Sequence, residues 1–233
     1  MKKREIFTVL IELKRKFIES LSAINNGKSF TRKRKLFLAR LLIILLRCSP
    51  CGLQIRLDDY FKKIGHVEDT VTKQAFSKAR TNLDPNTVKA SFELTARTLS
   101  SCDDCEYYRE KYRLSAMDGS DLVLDNAMEL LEHFGGSGSN KDCATAMVSI
   151  CYDPLNDIIL DGGLYPYGTS EREAARKHIE VVESMPLPRG VKNLYVFDRG
   201  YPSKEFFAEM IKAGRCFLMR VRRNSIMNST RHQ

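Results

Sequence analysis

Val191-Lys192-Asn193-Leu194-Tyr195-Val196-Phe197-Asp198-Arg199-Gly200 decides how the rear half of the chain is read. Val191 to Phe197 has the character of an apolar strand buried on both faces, and it ends abruptly at a charged, glycine-containing turn. Such a strand needs helices on either side. Upstream, Ser170 with Glu173 three residues on forms a capping box, which predicts a helix from there to about Met185, halted before Pro186 and Pro188. Downstream, Ser203 is placed to cap a helix to about Ala213, and Cys216 to Val221 reads as another strand.

Further upstream the periodicity is β. Tyr112 to Met117 reads as a short strand ending at Asp118-Gly119-Ser120, and Ala144 to Tyr152 as a second. Asp153-Pro154-Leu155-Asn156 makes a turn into a third strand containing Ile158-Ile159-Leu160. Between the first two strands, Asp125 to Asn140 holds a short helix and a Gly/Ser loop. The order is therefore β-β-β-α-β-α-β, that of a ribonuclease-H-like mixed sheet in which the first and fourth strands are neighbours. Neighbouring strands lie about 4.8 Å apart, so Asp118 and Asp198 can share a divalent cation. Asp161 would sit two strands from the first, roughly 10 Å away, too far to share it. Taken singly, Asp118-Gly119 also reads as a hairpin turn and Asp198 as a strand-end cap.

The front hundred residues read as helical. Ile6, Val9, Leu10, Leu13, Phe17 and Leu21 recur at helical spacing before Asn25-Asn26-Gly27. Further helices are expected over Arg32–Arg47, Leu53–Ile64 with Gly65 as C-cap, and Asn86–Leu99. Between them, Asp69 or Thr70 can cap a helix to about Leu83, with Val71, Ala75, Ala79 and Leu83 on its apolar face. Its other face carries Lys73, Gln74, Ser77, Lys78, Arg80 and Thr81. That face fits a helix-turn-helix DNA reader, Lys78 and Arg80 meeting phosphates and Gln74 a base edge; it equally fits an amphipathic surface helix.

Charge supports the division. Residues 1–100 hold 21 Lys+Arg against 9 Asp+Glu, and the remaining 133 hold 17 against 20. A basic front joined to a mildly acidic rear suits a polyanion-binding region, 1–105, followed by a second domain, 106–233. Lys28 and Arg32-Lys33-Arg34-Lys35 add to the basic surface. Leu36 to Leu46, the longest apolar run, is interrupted by Arg40 and reads as a buried helix rather than a membrane span, and no secretory segment is evident, so a cytoplasmic location is expected. Cys48-Ser-Pro-Cys51 and Cys102-Asp-Asp-Cys105 have zinc-knuckle spacing, but the two pairs stand much further apart in sequence than in compact zinc ribbons.

Phe197-Asp198-Arg199-Gly200-Tyr201-Pro202-Ser203 resembles the second-aspartate motif of DDE transposases of the insertion-sequence IS-four group. Met117-Asp118-Gly119-Ser120, Tyr152-Asp153-Pro154-Leu155-Asn156, Ser170-Glu171-Arg172-Glu173, Cys216 to Val221 and the helix Lys73 to Arg80 match in the same order. The resemblance implies an α/β protein: a helical DNA-binding region, then a ribonuclease-H-like mixed sheet with flanking helices. It also implies two Mg2+ ions held by three carboxylates, Asp118 and Asp198 among them, for phosphoryl transfer on transposon ends, with Arg199 facing phosphate. Double-stranded DNA is the implied partner, and a homodimer is compatible with the sequence. The group's third carboxylate, a glutamate in a Tyr…Arg…Glu…Lys signature, has no counterpart before Gln233, and Glu205 and Glu209 lie on an intermediate helix. The expectation is therefore an incomplete catalytic domain, binding metal weakly and limited to DNA binding. The alternative is a helix-turn-helix regulator of transposition without catalysis.

Overall fold

A computed structural model describes residues 30, 34–47, 50–102, 104–137 and 143–221. The expected helix at Ile6–Leu21, the basic residues Lys28, Arg32 and Lys33, and Cys48 lie outside the described residues. The chain divides into two compact units, residues 1–95 and 96–233.

In the first unit, α1 (Leu38–Leu46), α2 (Leu53–Lys63) and α3 (Lys73–Arg80) surround a core of Leu41, Ile44, Leu57, Phe61 and Phe76. A 3-10 turn, Val67–Asp69, precedes α3, and α4 (Pro85–Leu99) follows it. The α3 cap is Thr72 rather than Asp69 or Thr70: its hydroxyl accepts from the Ala75 N–H at 3.2 Å, and Gln54 Oε1 accepts from the Lys73 N–H at 2.8 Å. Asp69 is engaged elsewhere, 3.9 Å from Lys35 Nζ and 3.7 Å from Arg40 Nη1. With the start displaced, Ala75 is exposed and Phe76 becomes the buried anchor of α3.

The second unit is a mixed sheet with helices. Its strands are β1 (Tyr112–Val123), β2 (Gly136–Ser137), β3 (Cys143–Asp153), β4 (Ile158–Pro166), β5 (Lys192–Phe197) and β6 (Cys216–Met219). Its helices are α5 (Met128–Phe134), α6 (Glu171–Glu183) and α7 (Lys204–Lys212). The antiparallel meander β1-β3-β4 is extended by β5 parallel to β1 and β6 parallel to β5. The order β4-β3-β1-β5-β6 is that of a ribonuclease-H-like sheet, with the two-residue β2 pairing the start of β3. The first long strand does not stop at Asp118. It runs on, pairing with β3 as far as Val123, so Asp118-Gly119 lies within a strand and is not a hairpin turn.

Alternation along β1 places Arg113, Ser115 and Met117 on a buried face. Met117 joins Cys151, Leu160, Ile179, Val182, Tyr195, Phe197, Tyr201, Phe206 and Met210 in the core. Ala174, Ala175, His178, Ile179 and Val182 are the buried positions of α6, a stripe at helical spacing. The Ser170 hydroxyl accepts from the Glu173 N–H at 3.2 Å, and that of Ser203 from Phe206 N–H at 3.1 Å, so both expected caps are present.

Candidate active site

The parallel register of β1 and β5 brings the two aspartates together. Met117 is the partner of Phe197, so Asp118 and Asp198 are the next residues on adjacent strands, both exposed. One oxygen of Asp118 accepts from the Gly119 N–H at 2.9 Å, which restrains the carboxylate. After β5 the chain turns, with the Tyr201 N–H donating to the Asp198 carbonyl at 3.3 Å. Arg172, in the first turn of α6, donates to the Gly200 carbonyl at 3.2 Å and ties that turn to the helix. Arg199 is exposed on it.

A third carboxylate stands beside this pair. Glu171 is the first residue of α6, and its side chain reaches the space above Gly119 and Gly200. Burial pushes its carboxyl above the ordinary glutamate range, and repulsion from Asp118 and then Asp198 adds to the rise, against the pull of Arg172. Sequence reading missed this residue. The capping box located the helix start, but the approach of its first side chain to the middle of β1 and to the turn after β5 is a long-range fact.

Asp161, set aside on spacing, has a different role. Its Oδ2 lies 2.7 Å from His178 Nδ1, and His178 Nε2 lies 2.9 Å from the Ser149 hydroxyl. Ser149 Oγ is also 3.3 Å from the Asp118 carbonyl, so a chain of polar contacts runs from β4 through α6 to the backbone of the first aspartate. Serine, histidine and aspartate at these distances resemble a nucleophile triad. However, Ser149 is 1% exposed and His178 0%, which denies a substrate access. The arrangement is structural.

On α3, Lys73, Gln74, Lys78 and Arg80 are exposed and Ser77 is half-buried, so the polar face faces solvent. The link from α2 to α3, Ile64 through Thr72, is longer than the turn of about three or four residues in helix-turn-helix readers. Cys102 and Cys105 turn their thiols into the end of α4, donating to the Thr98 carbonyl at 3.4 Å and the Leu99 carbonyl at 3.2 Å. Among the described residues, the one trio of metal-type ligand atoms within 4.8 Å of one another is His66, Glu68 and Asp69. It is largely exposed, and Asp69 is already paired with cations. The side-chain oxygens of Asp118, Glu171 and Asp198 are not all within that distance of one another. Among the described residues, no helix is long and apolar enough to cross a membrane.

A comparison with solved structures finds similarity to a piggyBac transposase synaptic complex with hairpin DNA, determined by cryo-electron microscopy. Identity is 10% and the TM-score 0.36, over 91% of this chain and 54% of that one. The chain thus spans about half the length of that protein. No curated protein matches the chain. The family described as "Transposase DDE domain" matches residues 109–233, which is more than half of the chain and includes both aspartates with their strands. The chain belongs to the transposase DDE domain family.

Proposed function

We propose that this chain is a DNA transposase of the insertion-sequence IS-four type, in which Asp118 and Asp198 carry the metal-dependent chemistry on double-stranded DNA. The observation that supports this most directly is their register-matched placement at neighbouring parallel strands inside a transposase DDE domain. DDE transposase domains use divalent metal ions. The donors at this site are carboxylate oxygens, the ligand type that suits Mg2+ or Mn2+. The buried Tyr201 hydroxyl, which has no hydrogen-bond partner, leaves polar capacity for a charged occupant nearby. When bound, the ions supply Lewis-acid stabilisation of charge on the transferring phosphoryl group.

The protein's own contribution is positional. Asp118 is held by its neighbour's N–H and by the strand pairing on both sides, and Asp198 by the turn that Arg172 secures. Preorganised carboxylates bind an ion without the cost of ordering them first. Arg199, exposed beside Asp198, is placed to meet a phosphate. The basic residues 1–105 form the DNA-binding region, with Lys73, Gln74, Ser77, Lys78 and Arg80 of α3 against DNA and 106–233 as the catalytic domain.

The test is nicking of supercoiled DNA by the purified chain with Mg2+ or Mn2+, expected to require Asp198. The exposed basic face of α3 favours a second reading, a DNA-binding regulator. DNA binding abolished in Lys78→Ala and Arg80→Ala, with no metal-dependent nicking and no effect of Asp198→Asn, would select that reading and overturn the first.

A further inference from the structure

Glycine occupies the position after Asp118 and the second position after Asp198. Neither Gly119 nor Gly200 has the left-handed backbone that demands glycine. What each provides is room. A β-carbon on Gly119 would meet Glu171 Cγ and Oε1 at 3.3 Å, and one on Gly200 would meet Glu171 Oε2 at 2.5 Å. The Glu171 carboxyl group therefore lies across both glycines, beside the middle of β1 and the turn after β5. Holding a third negative group there costs free energy unless a cation balances it.

A second observation concerns the neighbouring core. Tyr201 is 1% exposed, and its ring packs on Phe197 with centroids 5.1 Å apart. Its hydroxyl is buried with no hydrogen-bond partner. Burial pushes this hydroxyl well above the ordinary tyrosine range, and the negative charge of Glu171 and then Asp118 adds to the rise. A buried donor left unsatisfied is costly.

We propose that Glu171 is a third metal-facing carboxylate of this site, holding a divalent cation together with Asp118 and Asp198, with the Tyr201 hydroxyl as the donor supporting the cluster from the core side. The inference rests on the metal-dependent reading of the two aspartates given above. Position 171 is distinct from the later glutamate that the sequence resemblance implies. Gly119 and Gly200 become part of the site by leaving space for the third ligand.

Mn2+ binding to the full chain, followed by the decline of the free-ion electron paramagnetic resonance signal, tests this without relying on activity. Glu171→Gln, which keeps the shape and removes the charge, is expected to weaken binding by about tenfold or more. Gly200→Ala keeps every charge but pushes the carboxylate aside, and is expected to weaken it comparably. A second readout is Tb3+ luminescence sensitised by tyrosine, in a chain that contains no tryptophan. Tyr201→Phe should dim it.

Wild-type Mn2+ affinity in both Glu171→Gln and Gly200→Ala, with affinity abolished in Asp118→Asn and Asp198→Asn, would overturn the role of Glu171 and leave the two-aspartate reading standing. Unchanged affinity in all four, or no Mn2+ binding by wild type at millimolar concentrations, would overturn both. A lowered metal-free melting temperature in Glu171→Gln with Mn2+ affinity intact would make Glu171 a structural residue and sink the proposal.

Discussion

Met117 of β1 is the partner of Phe197 of β5 in a parallel pairing, and this single register relation aligns Asp118 with Asp198. Both partners are core residues, so slipping the register by one would expose two large side chains as well as separate the carboxylates. The site is thus fixed by the same packing that holds the sheet.

Asp118→Asn and Asp198→Asn should leave the fold intact, because both side chains are exposed and surface changes usually fall within about 0.5 kcal/mol. Their response to metal should differ from wild type. An ion at about a hundred times its Kd stabilises a protein by about 2.7 kcal/mol, so wild-type Tm should rise with added Mg2+ and that of each variant should stay flat. Thermal melts across a Mg2+ series check this, and parallel curves for all three proteins would count against the site.

Lys78→Ala and Arg80→Ala remove exposed cations from α3. If each meets a phosphate, DNA affinity should fall, and the slope of log K against log salt should shrink by about one for each phosphate left without its cation. Fluorescence anisotropy over a salt series measures both. A weaker affinity with an unchanged slope would mean that these residues act on the fold of the helix and not on DNA.

His178→Ala leaves both Asp161 and Ser149 without the ring that joins them in the interior. The expected cost is about 2 kcal/mol, set by the two lost hydrogen bonds, since Ser149 keeps the Asp118 carbonyl and Asp161 is partly exposed. Ser149→Ala should cost about 1 kcal/mol, since one hydroxyl is removed and the imidazole keeps Asp161. Urea unfolding gives both values. A ranking with Ser149→Ala the more harmful would contradict the network as described.

Cys143 and Cys151 lie on the same strand in opposite environments. Cys143 is exposed, whereas Cys151 is fully buried and burial pushes its thiol far above the usual cysteine range. At pH 8 a thiol-reactive probe should label Cys143 rapidly and Cys151 only as the sheet opens. Peptide mapping of the modified chain distinguishes the two, and fast labelling of Cys151 would refute its burial.

Much of this architecture is legible in sequence because it is local. The capping serines at positions 170 and 203, the turn after Asp153, and the apolar run ending at Phe197 each announce an element through nearby residues. The order of those elements then leaves few sheet topologies, so the adjacency of Asp118 and Asp198 follows. Local rules mislead where two of them compete. Asp118-Gly119 has the composition of a hairpin turn, yet pairing with β3 carries the strand through it to Val123. Asp69 and Thr70 are good caps, but Asp69 is drawn to Lys35 and Arg40 and the helix begins at Lys73, behind Thr72. Encounters between distant residues leave no local mark. Glu171 against Gly200, and His178 between Asp161 and Ser149, become visible only in three dimensions.

The crowding of Gly200 by Glu171 has an evolutionary consequence. A β-carbon at position 200 is incompatible with the present placement of the acid at 171, so a side chain there makes the carboxylate swing away and couples the two positions. Among descendants of this sequence, glycine at 119 and 200 should be inherited together with an acidic residue at 171. Lineages that shorten residue 171 should be free to acquire side chains at both glycines. The glycines thus record the presence of the acid, and their replacement in a relative would mark a site that has stopped holding it.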